Sequence, residues 1–134
     1  MEVKLIIPQR EPIIMIDEIV NHSDVKTTTS LTINKTNIFV EENIFQSSGL
    51  IENMAQSSAA RMGIQTNKEG NKPLLGYIAS IKNLMVNRLP EVGEKILTEI
   101  IIVNKINNII VIKAEGKVDN IIISSCDLKV FIEE

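Results

Sequence analysis

Glu52 and Gln56 stand one helical turn apart in the segment Ser48–Gly63, SGLIENMAQSSAARMG. An acid followed four residues later by an amide shares one face of a helix. Leu50, Met54 and Ala55 bracket the acid. A carboxyl held between apolar neighbours is a usable general acid or base, because burial disfavours its charged form. The plainer alternative is a structural glutamate paired with Arg61, Arg10, Gln56 or a partner subunit. At the head of the segment, backbone N–H groups near Ser48, Gly49 and Leu50 suit a carbonyl oxygen that gains negative charge, or they simply begin a helix. Leu50, Ile51 and Met54 are candidates to line an apolar binding tunnel beside Glu52. Glu41, Glu42 and Gln46 lie in the irregular stretch just upstream. His22 reads as a solvated turn residue and Cys126 as core, on the apolar face of the last strand.

Composition removes many alternatives. The chain has 134 residues, a net charge of -3, 3% aromatic residues and no Trp. No basic block is present to neutralise phosphates and no aromatic platform to stack bases, so no nucleic-acid partner is expected. One Cys and one His exclude an internal disulfide framework, a thiolate zinc site and a His-rich metal cluster. No metal and no cofactor is expected. No apolar run reaches a membrane span and the start lacks a secretory-signal pattern. The expectation is a soluble, cytoplasmic protein with no membrane partner.

These candidate residues need a scaffold. The length suits one domain, residues 1–134, with a sizeable core. Pro8 and Pro12 break any long helix in the opening Leu5–Val20. Val25–Ile33, VKTTTSLTI, reads as a strand, followed by an irregular stretch from Asn34 to Ser48. Ser48–Gly63 is the one convincing helix, capped by Ser47 or Ser48 and ended by Gly63. Its small residues and few charges predict burial against a sheet. A polar loop over Gln65–Lys72 precedes a long extended segment, Leu74–Leu89, bent near Lys82–Asn83. Asn107-Asn108 and Asp119-Asn120 are tight-turn signals, so Glu94–Ile132 reads as a three-strand meander. In its last strand Ile122, Cys126, Leu128, Val130 and Ile132 share the apolar face. Ile100–Val103 is apolar on both faces, so it either lies under the helix on one side and a partner subunit on the other or is simply over-rich in isoleucine. One buried helix on a long antiparallel sheet is an α+β architecture, and a sheet wrapped around one long helix describes the hotdog fold.

Three stretches carry a family resemblance. Ile7-Pro8-Gln9-Arg10-Glu11-Pro12-Ile13-Ile14-Met15-Ile16-Asp17 resembles the opening of the FabZ-type β-hydroxyacyl-acyl carrier protein dehydratases, which have a Leu-Pro-His-Arg-x-Pro-apolar-Asp pattern. Gly49-Leu50-Ile51-Glu52-Asn53-Met54-Ala55-Gln56 is similar to their central helix. Val86-Asn87-Arg88-Leu89-Pro90-Glu91-Val92-Gly93-Glu94 is similar to their Phe-Arg-Arg-Pro-Val-x-Pro-Gly-Asp stretch. The three occur in the family's order across nearly the whole chain. The departures are specific: the upstream Gly-His-Phe-Pro motif, with the family's catalytic His, has no counterpart in Asn37–Ser48, and the opening His is Gln9 here. In this respect the chain resembles the FabZ-like proteins of aryl-polyene and flexirubin pathways.

The resemblance implies an acyl-thioester substrate, carried on acyl carrier protein or coenzyme A. It makes Glu52 the surviving half of a catalytic pair, with Gln56 beside it, and it makes Ser48, Gly49, Leu50, Ile51 and Met54 the substrate-binding residues of an acyl tunnel. Dehydration needs a base as well as the helical acid, each worth about 10²–10⁴ in rate; Glu41, Glu42 or Gln46 would have to replace the His. Three functions follow. The chain is a variant 3-hydroxyacyl dehydratase or its partner subunit, a hotdog thioesterase in which Glu52 and Gln56 activate water, or a non-catalytic acyl-binding subunit. Any of these is expected as a homodimer or as a heterodimer with a hotdog paralogue.

Overall fold

The computed structural model describes residues 2–69 and 75–133. A 3-10 turn, Val3–Leu5, opens the chain. It is followed by β1 (Glu18–His22), β2 (Lys26–Thr32), the short hairpin β3 (Val40–Glu41) and β4 (Ile44–Phe45), and the helix α1 (Ser47–Glu69). Then come β5 (Leu75–Val86), β6 (Lys95–Ile106), β7 (Ile109–Val118) and β8 (Ile121–Glu133). Six strands form one antiparallel sheet in the order β1-β2-β6-β7-β8-β5, and α1 packs against it. This is the α+β hotdog arrangement.

The meander turns as the Asn and Asp signals predict. Asn107, Asp119 and Asn120 all have positive φ, the conformation a tight hairpin demands. Asn83, also at positive φ, marks the irregularity in β5 between Lys82 and Met85, where the long segment was expected to bend.

Cross-strand register builds the floor beneath the helix. Thr27, Ile100, Ala114 and Cys126 lie side by side on β2, β6, β7 and β8, and so do Thr29, Thr98, Gly116 and Ser124. The second row is small and polar, and it faces the small residues of α1. Thr98 Oγ1 donates to Asn53 Oδ1 at 2.6 Å, and Thr29 Oγ1 and Ser57 Oγ share a hydrogen bond of 2.7 Å. This polar band, bonded at Thr98 and Thr29 but not at the buried Ser124 hydroxyl, separates two apolar clusters. One, around Met15, Leu31, Phe45, Leu50, Ile96 and Ile123, lies under the helix start. The other, around Met54, Ile100, Ile112, Cys126 and Leu128, lies further along. The opening segment covers the helix's other side: Val3, Ile6, Ile7 and Ile16 pack on Ala60 and Ile64.

Four expectations need correction. Gly63 does not end the helix, which runs on to Glu69 and so takes in the first part of the predicted loop; the rest of that loop, and Leu74, lie outside the described residues. Gly63 is instead a close-approach position, since a Cβ there would sit 2.2 Å from the carbonyl oxygen of Ile6. Ile122 is exposed while Ile123 is buried. A bulge pairs Gly116 with Ser124 but Lys117 with Ile122, skipping Ile123 and shifting the strand's phase there. Ile100 is buried in the core and only Val103 of Ile100–Val103 is exposed, on a strand that is central in the sheet; this stretch is not an open face. His22 is not solvated but half-buried and hydrogen-bonded.

Candidate functional site

The helix start is built on two phenylalanines. Phe39 and Phe45 meet edge to face, with ring centroids 6.4 Å apart, and Gly49 lies over them so closely that a Cβ would fall 2.4 Å from the Phe45 ring. Gln46, not a serine, precedes the first helical residue, and its carbonyl accepts the N–H groups of Gly49 (3.0 Å) and Leu50 (3.3 Å). Those two donors are therefore already used within the turn. Ser48 is exposed and Ile51 half-buried, whereas Leu50 and Met54 are each 1% exposed and packed into the two apolar clusters.

Glu52 is half-buried, and its Oε1 accepts a hydrogen bond from Gln56 Nε2 at 2.8 Å. Gln56 is fully buried and makes two further bonds: Nε2 donates to the Ile13 carbonyl (2.8 Å), and Oε1 accepts the Met15 N–H (2.7 Å). Asn53 adds a bond from Nδ2 to the Met15 carbonyl at 2.8 Å. The opening segment is thus strapped to α1 by two amides, and the strap delivers one amide proton to Glu52. An amide with its oxygen and both its protons engaged has little left to orient a water. Glu52 makes no second hydrogen bond among the described residues, so Oε2 remains available.

The other candidates lie apart from this pair. Glu41 and Glu42 are exposed at the β3–β4 hairpin; together with Ile44, Gln46 and Leu89 they line an open hollow of about 730 Å³ that does not include Glu52. His22 bonds Thr27 Oγ1 through Nδ1 (2.8 Å) and Gln65 Oε1 through Nε2 (3.1 Å). Gln65 lies thirteen residues beyond Glu52 on α1, roughly 20 Å of helix rise, which puts His22 out of reach of the acid. Arg10 donates to the carbonyls of Lys4, Ile7 and Gln9 rather than to a carboxylate. Burial, with the Asp127 charge, pushes the Cys126 thiol up to about 11, so it is a core thiol without a nucleophile's character.

Sequence reasoning gave Asn53 and Ser57 no role and took Arg61 only as a possible partner of Glu52, a contact the structure does not make. Asn53, Ser57, Ala60 and Ile64 do form a stripe at helical spacing, and polar members within such a stripe are the signal for a buried polar band. Arg61, 5% exposed, reaches from α1 across to β2 and its turn: Nη1 donates to the Ser23 carbonyl and to Thr27 Oγ1 (2.9 Å each), and Nη2 to the Asp24 carbonyl.

This strapped, single-helix hotdog matches one family along its length. The sequence model for ApeP-like proteins, described as ApeP dehydratase, covers residues 1–133. The chain belongs to the ApeP-like dehydratase family. No curated protein matches it by sequence. Among solved structures, the ApeP-like chain is similar to one in the dehydratase heterocomplex ApeI:P from Xenorhabdus doucetiae, with 14% identity over 100% of this chain and 92% of that one, at a TM-score of 0.90. It is similar to an HP0420 homologue from Helicobacter felis (17% identity, 97% and 87% covered, TM-score 0.75). It is also similar to a hypothetical thioesterase with coenzyme A from Streptococcus pneumoniae TIGR4 (10% identity, 87% and 84% covered, TM-score 0.72). At such identities the likeness is one of fold. Among the described residues, no cluster of His, Cys, Asp and Glu that could hold a metal ion occurs, and no helix is long and apolar enough to cross a membrane.

Proposed function

We propose that this ApeP-like chain is the glutamate-bearing subunit of a 3-hydroxyacyl thioester dehydratase, and that it works in a heterodimer with a second hotdog chain that brings a histidine. The observation that carries this reading is Glu52 itself: a half-buried carboxyl steered by a buried amide, with no imidazole in reach. In the balanced reaction the partner's base takes the proton next to the thioester carbonyl. Glu52 then delivers a proton to the departing hydroxyl, and an enoyl thioester and water result. Glu52 is the catalytic residue, and Gln56 positions it. Ser48 and Ile51 are the candidate contacts with substrate, whereas Gly49, Leu50 and Met54 shape the helix start from beneath. The acyl group arrives on acyl carrier protein or coenzyme A, and the reaction runs in the cytoplasm.

The partner's place is the β5 edge. β5 is twelve residues long, with two irregularities, and closes one side of the sheet, while β1 on the other side has five residues and one irregularity. Ile78, Ile81, Leu84 and Met85 are exposed along β5. A long apolar edge left unpaired is a liability that native sheets cover, which supports a homodimer or a hetero-pairing here. The thioesterase reading has less support, because the amide that would orient water, Gln56, is saturated.

The test supplies 3-hydroxyacyl and saturated acyl thioesters, on both carriers, to the chain alone and to the chain co-expressed with a His-bearing FabZ-type protein of the same organism. Enoyl product from the pair but not from either chain alone is the expected result. Release of free thiol from saturated substrates by the chain alone would overturn it in favour of the thioesterase.

A further inference from the structure

A second site lies toward the other end of α1. Between the C-terminal half of the helix and the concave face of the sheet is a cavity of about 240 Å³. Its apolar wall comes from Ile102, Ile110, Ile112 and Ile132, and its charged lining from Arg61, Lys105 and Asp24. Two cations against one carboxylate leave it net positive.

Arg61 is the unusual member. It is buried, and its three hydrogen bonds all go to neutral oxygens, the Ser23 and Asp24 carbonyls and the Thr27 hydroxyl. No described carboxylate forms an ion pair with it. Burial lowers its pKa, and the charge of Asp24 offsets that only in part. A buried cation whose hydrogen bonds go to neutral oxygens and whose one nearby carboxylate offsets burial only in part attracts an anion brought beside it in a weakly polar cavity. A guanidinium has five N–H donors, three of which are used here, and its planar fork suits a carboxylate. The isoleucine wall, by contrast, offers nothing to a polar ligand and suits hydrocarbon. A compact inorganic anion would leave that wall bare. At roughly 30 Å³ per water-sized group, the cavity accepts about eight non-hydrogen atoms, the number in a six-carbon fatty acid.

We propose that this cavity binds a short aliphatic carboxylate, with its head on Arg61 and Lys105 and its tail among Ile102, Ile110, Ile112 and Ile132. The inference does not rest on the dehydratase reading. Arg61 lies nine residues beyond Glu52 on α1, roughly 14 Å of helix rise, so Glu52→Gln should leave this binding unchanged whatever it does to turnover.

The experiment follows isoleucine methyl signals of the full chain by NMR during titration with sodium hexanoate, with 1-hexanol and inorganic phosphate as controls. Hexanoate should give saturating shifts at Ile110, Ile112 and Ile132 in the millimolar range or below, binding at least tenfold tighter than hexanol, and phosphate should not reproduce them. Lys105→Gln should weaken hexanoate several-fold and leave hexanol unchanged. Ile110→Phe should fill the cavity and abolish both. Arg61→Met should erase the preference for hexanoate; because Arg61 also ties the helix to the β1–β2 turn, Lys105→Gln carries the charge test if that variant does not fold. Equal binding of hexanoate and hexanol, unchanged binding to Ile110→Phe, or the absence of saturation would each overturn the proposal.

Discussion

The two ends of α1 are built oppositely. Near its start the helix carries a carboxylate, packs solidly through Leu50 and Met54, and is strapped to the opening segment by two amides. Further on it carries a guanidinium, pairs with the only histidine through Gln65, and borders a cavity. The comparison teaches that the residue types able to do acid–base work are divided between sites too far apart to cooperate. Glu52 has amide support but no base; His22 has a hydroxyl and an amide but no acid in contact. Within one described chain, Glu52 and His22 are not placed to act on the same substrate atom.

The sharpest way to break that contrast is to neutralise each end in turn within the assembled pair. Glu52→Gln keeps the shape and removes the ionisable proton, so turnover should fall by about 10² or more while the melting temperature hardly moves. His22→Asn, at the other end, should leave turnover within a few-fold. Comparable losses from both variants in a steady-state assay would mean that the two ends act together after all.

The strap offers the next largest effect. Gln56→Leu preserves size but leaves the Met15 N–H and the Ile13 carbonyl without their side-chain partner. An unsatisfied buried group costs about 1–3 kcal/mol, so a loss of roughly 2–5 kcal/mol should appear in urea unfolding. Gln65→Leu removes only a part-buried contact to His22 and should cost about 1 kcal/mol or less. If Gln56→Leu unfolds no more easily than Gln65→Leu, the opening segment is not held by this amide.

Gly63→Ala probes the opposite face of the same strap. The new methyl group would meet the Ile6 backbone, which cannot move aside as a flexible side chain would. Overpacking of this kind costs about 1–3 kcal/mol, more than any gain in helix propensity, so thermal denaturation should show a lower midpoint. A raised midpoint would mean that the 3-10 turn and its neighbours shift freely on the helix.

Much of this architecture was legible in the residues. The small-residue helix, the Asn and Asp turns and the apolar alternation of β8 from Cys126 onward are local signals that the tertiary structure leaves intact. What was hidden depends on contacts distant in sequence. Gly63 looks like a helix stop until Ile6, folded over from the far end of the chain, occupies the space a side chain would need. Ile122 and Ile123 are equally apolar, and only the bulge opposite Gly116 decides which is buried. Glu52 and Gln56 could be placed on one face by helix spacing, but the saturation of Gln56 by Ile13 and Met15, forty residues upstream, could not. Arg61 read only as a possible partner for Glu52, because nothing local shows that the carbonyls of the β1–β2 turn would meet it.

The smallest effect belongs to the sheet's outer face, which takes part in neither end of the helix and so serves as the control. Glu99 sits there between Lys117 (2.5 Å) and Lys26 (3.0 Å), across β2, β6 and β7. Hydrogen bonds from Lys117 first and Lys26 second hold its carboxyl below the usual carboxylate range. A carboxylate whose folded pKa is depressed contributes stability above its unfolded value, about 4.3, and loses that contribution as pH falls through the folded value. The contribution is therefore complete at neutral pH and disappears in the acid range below about pH 4. With both lysines partly exposed, it should amount to about 1 kcal/mol or less. Glu99→Gln should consequently lower stability slightly at pH 7, converge with the wild type at pH 3, and show less salt dependence in between. Urea midpoints at the two pH values measure this directly. A deficit that persists unchanged at pH 3 would assign Glu99 a packing role in place of an electrostatic one, and a change in turnover would show that the outer face communicates with Glu52.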